Sequence, residues 1–396
     1  MYRAEYTEHE AVIYLSGRID SNNASDAEQQ ILSCLKERKD QHVSLDFGEL
    51  EYISSAGLRV ILHIRKMIPD LSIINVSAEV YDILDMTGFT QMMDVRRSYR
   101  EVSIEGAEII GEGANGTLYR IDSDNVVKVY NNPDALDDIS MEREKARVAL
   151  VLGIPTAISY DVVKVNGHYG SVFELLNASA FAKILAEEPE RFDWCVQEFT
   201  ELLLKIHSTV VPEGKLPQIK QTAIRWIGDL KEFLPEEAYE KACRLITAVP
   251  EDDHMIHGDY HTKNVVLQGD EVLLIDMDTL AVGHPIFELA SMYNAFRGFS
   301  EYDHSVMERF HGISYETGVR FWESVLKMYL GTEDDKEAKA VEDKARIVGY
   351  IRLIRRSIRR GGLETEKGRA EIDLWKEELL GLLACTDTLL FERKQS

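Results

Sequence analysis

Apolar positions over the first hundred residues form short β-rich runs separated by stretches with helical spacing. Ala11-Val12-Ile13-Tyr14-Leu15 reads as a strand that Gly17 stops. Between residues 24 and 39, Ala27, Ile31 and Leu35 recur on one stripe, which predicts a helix lying over something apolar. His42 to Phe47 and Ser72 to Val76 predict two more strands. Between them Ser54-Ser55-Ala56-Gly57 opens a segment with Leu58, Ile61, Leu62 and Ile68 near helical spacing. Residues 78–87 predict a short helix with Val80, Ile83 and Leu84 inward and Gly88 as its C-terminal stop. Such alternation predicts a small α/β layer domain, complete near residue 95.

The pattern then changes. Ala107–Ile110, Thr117–Ile121 and Asn125–Tyr130 read as strands, with a glycine loop between the first two. A helix is predicted from about Ser140 to Leu152, and beyond residue 178 helical spacing dominates. It is broken by Val265-Val266-Leu267 and Val272-Leu273-Leu274-Ile275, a hairpin around Gly269-Asp270. The expected organisation is a first domain over 1–98, a short linker over 99–106 and a second domain over 107–396. The second is expected to have a β-rich lobe at about 107–175 and a mainly helical lobe at about 178–396.

At 396 residues the chain is too long for one ordinary core. Its 45% hydrophobic and 29% charged residues are the balance of a soluble globular protein. The net charge of −24 argues against nonspecific binding to nucleic acid or anionic lipid. Most of the excess lies in residues 101–396, which carry 53 acidic and 34 basic side chains. No stretch approaches the roughly 20 apolar residues of a membrane span, and the start lacks a signal-peptide layout. Cys34, Cys195, Cys243 and Cys385 show neither metal spacing nor a disulfide framework, so a reduced, cytoplasmic protein is expected.

The candidate chemistry lies in the second domain. Gly111-x-Gly113-x-x-Gly116 suits either a tight turn or a phosphate cradle. Close behind it, Lys128 stands in the apolar strand Val126-Val127-Lys128-Val129, where an ammonium needs phosphate oxygens or a carboxylate unless it snorkels from an edge. Glu142 and Glu144 are the candidate carboxylates. Further on, His257-Gly258-Asp259-Tyr260-His261-Thr262-Lys263-Asn264 is followed after the hairpin by Ile275-Asp276-Met277-Asp278. One compact unit thereby supplies a carboxylate for an attacking hydroxyl and two oxygen donors suited to Mg²⁺. His257 and His261 have no third ligand at zinc spacing and are expected to brace the loop.

Residues 107–330 resemble the aminoglycoside phosphotransferase and choline kinase group, through the HGDxHxxN run, the IDMD run and the lysine strand. Phe173-Glu174-Leu175 resembles the hinge that bonds adenine in that group, and Ile206-His207-Ser208 its helix under the catalytic loop. The resemblance implies a bilobal protein-kinase-like fold using ATP and Mg²⁺. It makes Asp259 the catalytic base, Asn264 and Asp276 the metal ligands, and Lys128 the phosphate-holding lysine with Glu144 as partner. Glu288 departs from the pattern, standing where the family usually has Asp. Eleven residues separate Asp276 from Glu288, too few for a peptide-docking segment, so the expected acceptor is a small molecule with a hydroxyl or amine. The acidic surroundings favour a cation, although the same charge also serves solubility.

Residues 4–97 resemble a STAS domain, the fold of bacterial anti-sigma-factor antagonists. Leu15-Ser16-Gly17-Arg18-Ile19-Asp20, Leu45-Asp46-Phe47 and Tyr52-Ile53-Ser54-Ser55-Ala56-Gly57-Leu58-Arg59 carry the likeness. It makes Ser55 a candidate phosphoacceptor and implies a protein partner, while paired serines at a helix start serve equally as caps. The arginine run at 352, 355, 356, 359 and 360 is expected to be a solvated helix face paired with acids at 333–343 rather than a phosphate-facing one. Together these readings predict an α+β multidomain protein: an α/β layer domain, then a small-molecule kinase. The alternative is a regulatory adaptor switched at Ser55 or by nucleotide.

Overall fold

The computed structural model describes residues 3–7, 10–35, 42–113 and 115–394. The chain divides into two compact units, one reaching to Glu105 and taking in Val162–Gly167, the other formed by Gly106–Asp161 and His168 onward.

In the first unit, strands Arg3–Tyr6, Glu10–Ile19, His42–Ile53, Leu71–Val76 and Asp94–Arg97 form one sheet in that order. The first pair is antiparallel and the others are parallel. Parallel pairing demands crossovers, and the helices Ala24–Leu35, Ser55–Met67 and Ala78–Met86 supply them. Gly17 does not stop its strand. At φ +72 it lies where the register shifts against the neighbouring strand, so the glycine makes a bulge and pairing continues to Ile53. The predicted helix extension at 36–39 lies outside the described residues. Arg100–Glu101, inside the expected linker, pair in parallel with Val163 and Lys164.

The second unit opens with strands Glu108–Glu112, Gly116–Arg120, Asn125–Tyr130 and His168–Glu174, joined antiparallel. Gly116 is required by this sheet: a Cβ there would meet the Val129 carbonyl oxygen at 2.3 Å. The helix Leu136–Val151 buries Ile139, Glu142, Ala146 and Ala149, a stripe at helical spacing. Beyond it, helices dominate, and one apolar core gathers Phe199, Tyr260, Phe296, Phe321, Trp322 and Ile351. The 25-residue helix Asp335–Arg359 packs against Ile286–Phe296 and against Glu366–Cys385. The strands Val265–Gln268 and Glu271–Leu274 form the predicted hairpin, with Gly269 at φ +61 in its turn. Among the described residues no helix is long and apolar enough to cross a membrane.

Candidate active site

The run at 257–264 leaves the short strand Met255–Ile256 and enters the hairpin. Gly258 sits at φ +82, where a Cβ would come within 2.7 Å of the Thr279 carbonyl oxygen, so this close approach requires glycine. Glu288 is fully buried and accepts the backbone N–H groups of His257 at 2.5 Å and Gly258 at 3.0 Å. Burial alone would raise its pKa, but the nearby His207 and His257 and the Gly258 amide hold it below the usual carboxylate value. The longer carboxylate at this position therefore still anchors the loop. Ser291 and Thr279 add hydroxyl bonds to the carbonyls of Gly258 and His257, at 2.9 and 2.8 Å.

Asp259 is partly exposed, with oxygens 3.5 Å from His261 Nε2 and 3.8 Å from Arg352. Burial pushes its pKa up, yet the His261 bond and the charges of His261, Arg352 and His257 bring it down to about 2. Arg352 also donates to the Gly258 carbonyl at 3.1 Å and to the Ser291 hydroxyl at 2.7 Å. The expectation of a solvated arginine face is thus overturned at this position: Arg352 belongs to the loop's support.

Asn264 Nδ2 donates to the Asp259 carbonyl at 3.0 Å, which commits the nitrogen and leaves Oδ1 as the available ligand atom. The Ile275 amide donates to the Asn264 carbonyl at 2.9 Å and brings the IDMD run alongside. Asp276 has φ +66, uncommon for a residue with a Cβ and a mark of local strain. Its carboxylate lies 3.8 Å from Lys128 Nζ.

Lys128 bonds both oxygens of Glu142, at 2.9 and 3.0 Å, and the Tyr130 hydroxyl donates to the same carboxylate at 2.7 Å. Glu144 is therefore not the partner; it pairs with Arg147 at 2.9 Å on the exposed side of the helix. Burial lowers the Lys128 pKa, but Glu142 and Asp276 outweigh that and the net shift is upward. Asp278, beside Asp276, accepts from Asn115 of the glycine loop at 2.9 Å, and Lys145 donates to its carbonyl. Burial first, and then the Asp276 charge, push Asp278 up to about 6. Crowded carboxylates around one lysine are a donor set that a divalent cation fits. Among the described residues no three His, Cys, Asp or Glu side chains hold a metal unaided, so such an ion would share its shell with other oxygens.

Gly111 and Gly113 meet no close atoms where a Cβ would stand, unlike Gly116. Phe173 pairs with Val126 in the sheet, and the Leu175 amide donates to the Asp124 carbonyl at 2.6 Å. That N–H is already committed, so a hinge contact through it would have to displace this bond. In the first unit Ser54, not Ser55, is the cap: its hydroxyl accepts from the amides of Ala56 and Gly57 at 3.2 and 3.4 Å. Ser55 is exposed on the first turn. Gly57 allows that turn to sit down, since a Cβ would lie 2.7 Å from Ile53.

A lysine clamped by a helix carboxylate, a braced aspartate loop and a strained aspartate after a hairpin are the parts of a phosphoryl-transfer site. The chain belongs to the phosphotransferase enzyme family, whose model matches residues 106–322, and it carries a STAS domain over residues 2–102. Its N-terminal part is 33% identical over 88 residues to a candidate anti-sigma factor antagonist, BtrV of Bordetella bronchiseptica, covering 21% of this chain and 75% of that protein. It is 27% identical over 88 residues to the anti-sigma F factor antagonist of Paenibacillus polymyxa, with the same coverage. Among solved structures it is similar to a thermostable mutant of aminoglycoside phosphotransferase APH(4)-Ia, with a TM-score of 0.48 and 14% identity over 70% of this chain and 94% of that one. A choline/ethanolamine kinase family protein from Mesorhizobium loti gives 0.46 and 15%, over 70% and 87%.

Proposed function

We propose that the second unit transfers the γ-phosphoryl group of ATP to a hydroxyl or amine of a small molecule. The observation that carries this reading is the Lys128–Glu142 pair 3.8 Å from Asp276, with Asp259 and Asn264 on one braced loop beside it. Lys128 holds the α- and β-phosphates, with the backbone at Gly111, Gly113 and Gly116 over them, and Phe173 and Leu175 border the adenine. Asn264 and Asp276 hold Mg²⁺, which when bound neutralises charge on the phosphates. Asp259, ionised at neutral pH, accepts a hydrogen bond from the acceptor hydroxyl and orients its attack. With a pKa of about 2 it is a weak base, so it positions the hydroxyl more than it removes the proton early. The eleven residues between Asp276 and Glu288 favour a small acceptor over a peptide.

The test is acceptor-dependent ADP release over a panel of small alcohols and amines. Asp259→Ala is expected to lower turnover on the order of 10³-fold or more while ADP affinity stays within about threefold. Near wild-type turnover in that variant would remove Asp259 from the mechanism. A second reading concerns the first unit. Exposed Ser55, freed from capping by Ser54, supports a phosphoacceptor whose added charge at a helix N-terminus changes a protein-binding face.

A further inference from the structure

Arg352 and Arg356 lie four residues apart in the helix Asp335–Arg359, and Arg360 caps its end four further on. All three share one face, with about 6 Å between successive turns. Arg352 is the one that reaches Asp259 at 3.8 Å, and its guanidinium lies over the Trp226 ring at 5.3 Å. Arg355, turned away, is neutralised by Asp229 at 2.5 Å. Arg356 and Arg360 are different. Among the described residues neither has a carboxylate within ion-pair distance.

Both line a cavity of about 310 Å³ floored by Phe299, Leu353 and Trp375. The Arg356 guanidinium packs over Phe299 at 4.9 Å. The cavity's one carboxylate, Glu371, lies 3.8 Å from Lys367, which Asp303 also holds at 2.8 Å, and Asp303 pairs in turn with Arg309 at 3.3 Å, so these two acids and two bases balance one another. The wall is tightly built: a Cβ on Gly362 would meet Ser357 Oγ at 2.2 Å, and one on Gly368 the Gly362 carbonyl at 2.3 Å. Two unneutralised guanidiniums side by side repel each other, and a chain with net charge −24 has acids to spare for them. Both side chains are exposed at the rim of the cavity; partial desolvation, then the charges of Arg360 and Arg352, lower the Arg356 pKa, and the Asp259 charge opposes them. A bound anion would relieve this repulsion, and a guanidinium pair is suited to carboxylate or phosphate oxygens.

We propose that the acceptor is a small anionic hydroxyl compound, a phosphate ester or a carboxylate, held by Arg356 and Arg360 with its hydroxyl at Asp259. The inference rests on the phosphotransferase reading of that site, and it reverses the preference for a cation that overall charge suggests. In the reaction the acceptor oxygen bonds the γ-phosphorus as the bond to the β-phosphate oxygen breaks. ADP leaves, and the hydroxyl proton passes to Asp259 or to water.

Calorimetry on the full chain saturated with Mg-ADP tests this, with glycerol 3-phosphate, glycerate, glycerol and choline as probes. One of the two anions is expected to bind at least tenfold more tightly than glycerol, and which one distinguishes phosphate from carboxylate. The Arg356→Gln/Arg360→Gln double variant should lose at least tenfold of that affinity. Arg359→Gln, which removes one charge from the same helix outside the cavity lining, should not. Tighter binding of choline, undiminished anion binding in the double variant, or capture of a phosphoserine peptide but neither small anion would overturn the proposal. Failure of the wild type to bind Mg-ADP would instead strike the phosphotransferase reading, and the anion titrations repeated without nucleotide would still decide the cavity.

Discussion

At the scale of single residues, the choice between Glu142 and Glu144 turns on the phase of one helix. Glu142 shares the buried stripe of Ile139, Ala146 and Ala149, and a carboxylate on a buried stripe must have a partner. Glu144 lies two residues round the helix, roughly 200° away, and meets Arg147 in solvent. Glu142→Gln is therefore expected to lower kcat/KM for ATP at least tenfold. It should also destabilise the protein by on the order of 3 kcal/mol, because Lys128 is left buried with its main counter-charge gone. Glu144→Gln should stay within about twofold of wild type. Equal effects of the two in ATP kinetics and thermal unfolding would contradict the pairing. The sequence placed both carboxylates on one helix from about Ser140 to Leu152 but did not fix which of them that helix buries. The family likeness, which selects by spacing to Gly153-Ile154-Pro155, pointed to the wrong member of the pair.

Elements act on one another through the 257–264 loop. Glu288 and Ser291 hold its start from one helix, and Arg352 holds it from another. Its far end is held by the Thr262 hydroxyl, 2.8 Å from His311 Nδ1, while His311 Nε2 donates to the Ala295 carbonyl at 3.1 Å. Burial above all, then the charges of His261 and Lys263, bring the His311 pKa down to about 3. An unfolded chain binds this proton near pH 6.5 and the folded one does not, so stability falls as pH drops from about 6.5 toward 3. Each pH unit in that window costs up to about 1.4 kcal/mol from this residue. Thermal unfolding of His311→Gln should show a flatter slope between pH 7 and 5 than wild type; parallel slopes would exclude His311 as the titrating group. Nothing in the local sequence pairs Thr262 with His311, because the contact joins separate elements.

At the scale of the whole molecule, the two units carry different chemistry on one chain: an exposed serine on a helix start, and a phosphoryl-transfer site. Intact mass after incubation with Mg-ATP measures whether one acts on the other. If the chain's own kinase modifies it, a gain of one phosphoryl group is expected in wild type and in neither Ser55→Ala nor Asp259→Ala. An unchanged wild-type mass would leave Ser55 to another kinase or to none.

What the sequence by itself determined was local. Strand–helix alternation, the Gly269-Asp270 hairpin, the lysine strand and the order Asp259, Asn264, Asp276 all follow from periodicity, turn chemistry and spacing within short segments. Tertiary structure decided what depends on rotation and long-range contact. It chose Glu142, brought Arg352 to Gly258 across 94 positions, engaged the Leu175 amide with Asp124, and left Arg356 and Arg360 unpaired beside a cavity. The physical reason is that a side chain's partner is set by which face its element buries and against what. Neither is a property of the neighbouring residues alone.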